Sequence, residues 1–141
     1  MLNSTGEYAL RAAVHLAQHV GDPQTSAMVA EHTRVPQGYL SKILQQMVKA
    51  ELITSQRGIN GGFVLGRPPG RITVLDVLKA VDAQPHRIHK CPLGLPGHLR
   101  LCPVHRLVDE AVETVEKAFK SADLESLSKS VRGITPLCEA S

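Results

Sequence analysis

At 141 residues, 43% hydrophobic and 3% aromatic with no Trp, the chain is long enough for one domain with a real core, and an aromatic-lined pocket is not expected. The net charge of +3 is modest but concentrated: between residues 34 and 71, Arg34, Lys42, Lys49, Arg57, Arg67 and Arg71 are offset only by Glu51, a local +5 of the kind a nucleic-acid surface carries. No stretch is apolar enough to span a bilayer and the first twenty residues form no signal peptide, so a cytoplasmic location and no membrane partner are expected; three cysteines, an odd number in that reducing compartment, then point to metal or redox chemistry rather than a disulfide framework.

A first helix is predicted from about Thr5 to His19, with Tyr8, Ala9, Ala12, Ala13, Leu16 and Ala17 as its apolar face and Gly21-Asp22-Pro23 as its stop. Two short helices follow. Ser26 is the candidate cap of the first, over MVAEH, and Thr33-Arg34-Val35 makes the turn. Pro36 opens the second at a position where its missing N–H costs nothing. Leu40, Ile43, Leu44, Met47 and Val48 repeat at helical spacing as a buried stripe, which leaves Gln37, Tyr39, Ser41, Lys42 and Gln45 outward. A second helix with such a hydrogen-bonding face suits base and phosphate contacts in a major groove. His15, His19 and His32 read as helix-surface or core residues.

A β-hairpin is predicted next, from Leu52-Ile53-Thr54-Ser55 and Phe63-Val64-Leu65. Gly61 and Gly62 in its tip can take positive φ and let backbone approach a phosphate, with Arg57 supplying charge. After Arg67-Pro68-Pro69-Gly70, Thr73 is placed to cap a helix over Val74 to Asp82, with Asp76 completing a capping box. The expected class is thus mainly α with a small β-hairpin wing, a winged helix-turn-helix over residues 1–82 that binds double-stranded DNA.

Residues 83–101 hold three prolines, two glycines and three histidines, which reads as a long effector loop. The longest helix is predicted from Pro103 to Lys120 within a segment 102–121. Val104, Val108, Ala111, Val115 and Ala118 alternate in steps of four and three, and Leu107, Val112 and Phe119 widen the stripe. A small winged head offers little to cover it, so a homodimer is expected. Residues 122–141 read as a tail with a short helix around Leu124–Leu127. There is no CxxC, no HExxH and no glycine-rich loop after a strand, so an enzyme is not expected. A winged-helix protein–protein adaptor is the other non-enzymatic reading, and the polar face and local charge argue against it.

The segments EYALRAAVHLA, VPQGYLSKILQQMVKAELITSQRGINGGFVLGRPP and ITVLDVLKAVD together make the chain resemble the Rrf2 family of bacterial transcription regulators over nearly its whole length. The resemblance implies a dimeric repressor or activator that binds a palindromic operator. It also implies Gln37, Tyr39, Ser41 and Lys42 at the DNA surface, and Arg57, Gly61 and Gly62 in the wing. Many members sense iron, nitric oxide or redox state through an iron-sulfur cluster held by three cysteines before the long helix. Here that region holds Cys91 and Cys102, with ten residues between them, His98 among those ten and His105 three residues after Cys102; Cys138 lies in the tail. Glu7 stands where some relatives place a carboxylate that ligates the partner's cluster. Cys91, Cys102, His105 and Glu7 from a second copy would total four ligands for a 2Fe-2S iron-sulfur cluster. Zinc would accept the same donors, a Cys91–Cys102 disulfide could form on oxidation, and plain packing of two small thiols is the remaining reading.

Overall fold

A computed structural model describes residues 2–90 and 100–129, so expectations for Cys91, His98 and Cys138 lie outside the described residues. Helix α1 (Ser4–Gln18) starts one residue before the predicted bound because Asn3 caps it, its side chain accepting from the Gly6 N–H at 2.8 Å. Helix α2 (Ser26–Thr33) is capped by Thr25, whose Oγ1 accepts from Met28 N at 3.1 Å. The expected cap, Ser26, is instead the first helical residue. Arg34 takes a left-handed conformation (φ 58°) to end α2, and Pro36 carries the chain extended into α3 (Gln37–Lys49). Leu40, Ile43, Leu44 and Met47 are buried as the spacing predicts, with Val48 partly so.

Helix α3 ends in a left-handed Glu51 (φ 62°), with Leu52 N–H returning to the Met47 carbonyl at 3.1 Å. That reversal delivers the buried Leu52 and Ile53 into an antiparallel hairpin of β1 (Ile53–Gln56) and β2 (Gly62–Leu65), paired Ile53↔Leu65 to Gln56↔Gly62. A single residue ahead of α2 adds one further rung, on β2. Gln24 exchanges two backbone hydrogen bonds with Phe63, at 3.0 and 2.8 Å, and ties the wing to the helical head.

A short 3₁₀ turn (Pro69–Arg71) leads to α4 (Val74–Ala80), where Thr73 and Asp76 form the predicted capping box at 3.0 and 3.1 Å. The helix stops before the expected Asp82 because Asp82 is left-handed (φ 53°) and Ala83 N–H reaches back to the Leu78 carbonyl at 2.8 Å. Helix α5 (Pro103–Ser121) matches its predicted span within a residue and has no buried residue. Only its C-terminal end joins the core, through Phe119, which therefore does not belong to the outward stripe. The chain then returns to the head: Leu124 N–H pairs with the Ile72 carbonyl and Val74 N–H with Ala122, both at 2.9 Å, and Leu124 of α6 (Leu124–Leu127) is fully buried. The core runs from the alanine-rich face of α1 through α3 and α4 to this leucine.

Candidate nucleic-acid interface

The outward face of α3 carries Gln37, Tyr39, Ser41, Lys42 and Gln45, all exposed. Because the opposite face is anchored in the core, these side chains stand on a fixed helix rather than a loop. Tyr39 is 61% exposed, and its ring lies 6.0 Å from that of Tyr8 on α1. The Arg11 guanidinium sits 5.7 Å from the Tyr8 ring centroid and is paired to Glu7 at 3.3 Å. Helix α1 thus flanks the outward face of α3, whereas its sequence pattern predicts only a core side. A lone tyrosine on an alanine-rich face gives no hint of such a neighbour.

The six basic residues between 34 and 71 are all exposed, and none of them enters an ion pair among the described residues. Outside that stretch several cations are paired, Arg11 with Glu7, Arg87 with Asp109 and Glu113, Lys117 with Glu113 and Lys129 with Glu125. Arg87, at the start of the effector loop, forks onto Asp109 of α5 through two bonds of 2.8 Å, and Ile88 N–H donates to the same carboxylate at 2.8 Å. The Arg87 hydrogen bonds, then that of Ile88, hold the Asp109 carboxyl at about 2, below the ordinary carboxylate range, and raise the guanidinium above its usual value. A run of six exposed cations without ion-pair partners among the described residues, from Arg34 through α3 and the wing to Arg71, is the pattern a phosphate-binding surface carries.

The wing's glycines act differently from expectation. Gly62 does take positive φ (148°), and so does Gly58 (114°), but Gly61 does not. Gly61 is small for another reason: a Cβ there would lie 2.5 Å from the Gln56 carbonyl oxygen and 2.9 Å from that of Gly58.

Behind the wing lies a buried histidine. His15 is 1% exposed, with Nε2 2.9 Å from Gln24 Oε1 and its ring 4.3 Å from His19 and 5.3 Å from His32. The Gln24 amide N–H₂ donates to Asp22, so its oxygen faces His15, and His15 Nε2 is the protonated nitrogen. Burial, opposed by the Gln24 bond and aided by His19 and His32, lowers the His15 pKa below 6.5. The imidazole is neutral in the fold, while the unfolded chain takes up a proton near pH 6.5. Its contribution to stability is therefore complete above that pH and is lost as pH falls below it. Thermal melts from pH 7.5 to 5 are expected to show a declining Tm that flattens in His15→Gln; an equal decline in both proteins would rule His15 out as the cause.

At the proposed sensor, Cys102 Sγ lies 3.1 Å from His105 Nδ1 at the start of α5. A thiolate and an imidazole are suitable donors for an iron-sulfur cluster or zinc. Glu7 is engaged with Arg11, and among the described residues no three His, Cys, Asp or Glu side chains converge as a metal site. The described residues of one chain supply a pair of donors, not a set of four.

Helix-turn-helix, β-hairpin wing and an unmatched cationic face define a winged-helix DNA-binding regulator. The chain belongs to the Rrf2 family, whose model, described as an iron-dependent transcriptional regulator, matches residues 2–130. It is 34% identical to the HTH-type transcriptional regulator IscR of Xenorhabdus nematophila over 131 residues, covering 91% of this chain and 79% of that protein. Among solved structures it is similar to CymR (YrzC), the global cysteine regulator of B. subtilis, at a TM-score of 0.76 and 25% identity, covering 91% of this chain and 95% of that one. It is also similar to T. potens IscR, at a TM-score of 0.70 and 29% identity, covering 90% and 85%. The protein is accordingly a DNA-binding transcriptional regulator and not an enzyme. No helix among the described residues is long and apolar enough to cross a membrane.

Proposed function

We propose that two copies of this chain pair through α5 in the cytoplasm and present two α3 helices to a palindromic operator. The observation that carries the reading is the opposition of two surfaces: cations without partners on α3 and the wing, and apolar side chains without cover on α5. Val104, Leu107 and Val108 are 66%, 67% and 43% exposed on that helix. A groove of about 320 Å³ runs between Ala83, Gln84 and Pro85 and the Val108–Val115 face of α5, with the buried Gln84 Oε1 lacking a hydrogen-bond partner. A second α5 seated there would cover the stripe. In this reading residues 1–82 read DNA, 83–101 receive the signal, 102–121 pair the copies and 122–141 form the tail. Half-sites are then about 34 Å apart, one turn of B-DNA, or a multiple of it.

Gln37, Tyr39, Ser41, Lys42 and Gln45 lie in the major groove, with Arg57, Gly61 and Gly62 at the flanking backbone. Lys42→Ala is expected to weaken binding to all duplexes and to reduce the salt slope by about one. Duplex titration by fluorescence anisotropy at several salt concentrations measures both. Unchanged affinity and slope would remove Lys42, and with it this placement of α3, from the interface.

The signal is read by Cys91, Cys102 and His105 with Glu7 of a second copy, as ligands of a 2Fe-2S cluster. The adjacency of Cys102 and His105 and the family's iron-dependent description support this set. A bound cluster would supply one-electron redox chemistry beside α5. The Arg87–Asp109 fork ties the start of the same loop to α5, so a change in the loop bears on how the two heads are spaced. Anaerobic purification with iron and sulfide analysis tests it: stoichiometric iron and sulfide are expected, and a colourless, iron-free dimer that still binds DNA would overturn the cluster.

A further inference from the structure

The tip of the wing holds an isoleucine out in water. Ile59 is 104% exposed, the most exposed large apolar side chain among the described residues. It is not on a loose strand of chain. Gly61 N–H closes a turn onto the Gly58 carbonyl at 3.0 Å, Gly58 sits at φ 114°, and Gly61 is lodged against the Gln56 and Gly58 carbonyls with no room for a side chain. The tip is therefore a closed turn in which glycines at 58 and 61 bracket Ile59 and Asn60. Its base is fixed to the head by the Gln24–Phe63 rung and by Leu52, so its place relative to α3 is set before any ligand arrives. Arg57 and Asn60 flank it, both exposed.

We propose that Ile59 is a specificity-determining residue that enters the DNA minor groove beside the major-groove stretch read by α3, and selects A·T pairs there. This rests on the placement of α3 proposed above. The minor groove is a slot about 6 Å wide, which admits a tight turn bracketed by glycines and not a broad loop. Its walls are sugar rings, which an isoleucine can cover, and its negative potential favours a tip with Arg57 beside it at the flanking phosphates. The selection follows from hydrogen bonding. A·T pairs show only acceptors in this groove, whereas G·C adds the guanine N2 amine. An isoleucine pressed against that amine takes away its water and offers no acceptor, so the donor is left unsatisfied. Asn60 could satisfy the amine through its amide oxygen, whereas Arg57, a donor only, could not.

The test uses the full-length protein and a duplex recovered from a randomised pool by repeated binding. The flanking pairs under the wing are then rebuilt as A·T, G·C or inosine·C; the last presents the major-groove edge of G·C without the N2 amine. Wild type is expected to bind the A·T and inosine·C duplexes alike and the G·C duplex about tenfold more weakly, the usual size of one wrong pair. Ile59→Ala should lose that discrimination while keeping the salt slope, because no charge is removed. Inosine·C behaving as G·C would overturn the minor-groove contact. Discrimination that survives Ile59→Ala would overturn the role of Ile59, and a changed oligomer mass in that variant would assign the side chain to a contact between copies instead. Failure of wild type to select any duplex would sink the placement of α3 itself, a result distinct from these.

Discussion

Gly62→Ala is expected to cost about 3 kcal/mol of stability and most of the affinity for DNA. Two effects combine at this position. The backbone sits at φ 148°, where an L side chain is strained, and the new Cβ would lie 2.6 to 2.9 Å from the backbone of Gln24. No rotamer relieves a clash with backbone, so the Gln24–Phe63 rung must open. The wing then loses its tie to the head, and Gln24 loses the geometry that satisfies His15. Gly58→Ala separates the two effects, because Gly58 is also at positive φ (114°) but a Cβ there would meet nothing within 4 Å. That variant should show the strain alone, about 1–2 kcal/mol, with the wing still attached. Urea denaturation of the three proteins, followed by duplex titration, reads both quantities. Equal losses in the two variants would mean that the approach to Gln24 contributes nothing.

Much of this head is legible in the sequence because its signals are local. The stripe Leu40, Ile43, Leu44 and Met47 needs only the helical period, and the Thr73–Asp76 box needs only a spacing of three. One-residue ambiguities do not resolve in the same way. Thr25 and Ser26 are both good caps, and the choice depends on which of them has extended backbone, which no residue type encodes. The glycines show the same limit. Residue type suggests positive φ for Gly61 and Gly62 alike, yet Gly61 is small because carbonyls of its own turn crowd it, and Gly62 because Gln24 does. Gln24 is far from the wing in sequence, and that contact leaves no pattern in either segment. Burial of His15 and the Arg87–Asp109 fork are non-local in the same sense, since each is a pairing of ordinary polar residues on separate elements. For the proposed ligand set, residue type points to Cys102 and His105, which lie 3.1 Å apart. The cover of α5 is the least legible feature, because an amphipathic pattern states that a face is to be buried and not against what.

That face gives the second large effect. Leu107→Asp is expected to turn a dimer into a monomer while leaving each head folded. Leu107 is 67% exposed and no residue of α5 is buried, so a carboxylate there disturbs nothing within one chain. Between two apposed α5 helices the same carboxylate would be stripped of water without a partner. The consequence for DNA exceeds the loss of any single contact. In a dimer, binding of one head holds the other near its half-site at a high effective concentration; separated heads must each find a half-site alone. Operator affinity should fall by about 100- to 10,000-fold, while binding to an isolated half-site changes little. Val20→Asp is the control, since Val20 is 61% exposed but lies in the turn after α1, away from the stripe. Sedimentation equilibrium and titration of full and half operators distinguish the cases. If Leu107→Asp stayed dimeric at wild-type affinity, the two heads would have to be joined by some surface other than α5, and the cationic faces would need a different spacing on DNA. If it became monomeric without losing operator affinity, pairing would be incidental to recognition, and one head with its wing would carry the binding alone.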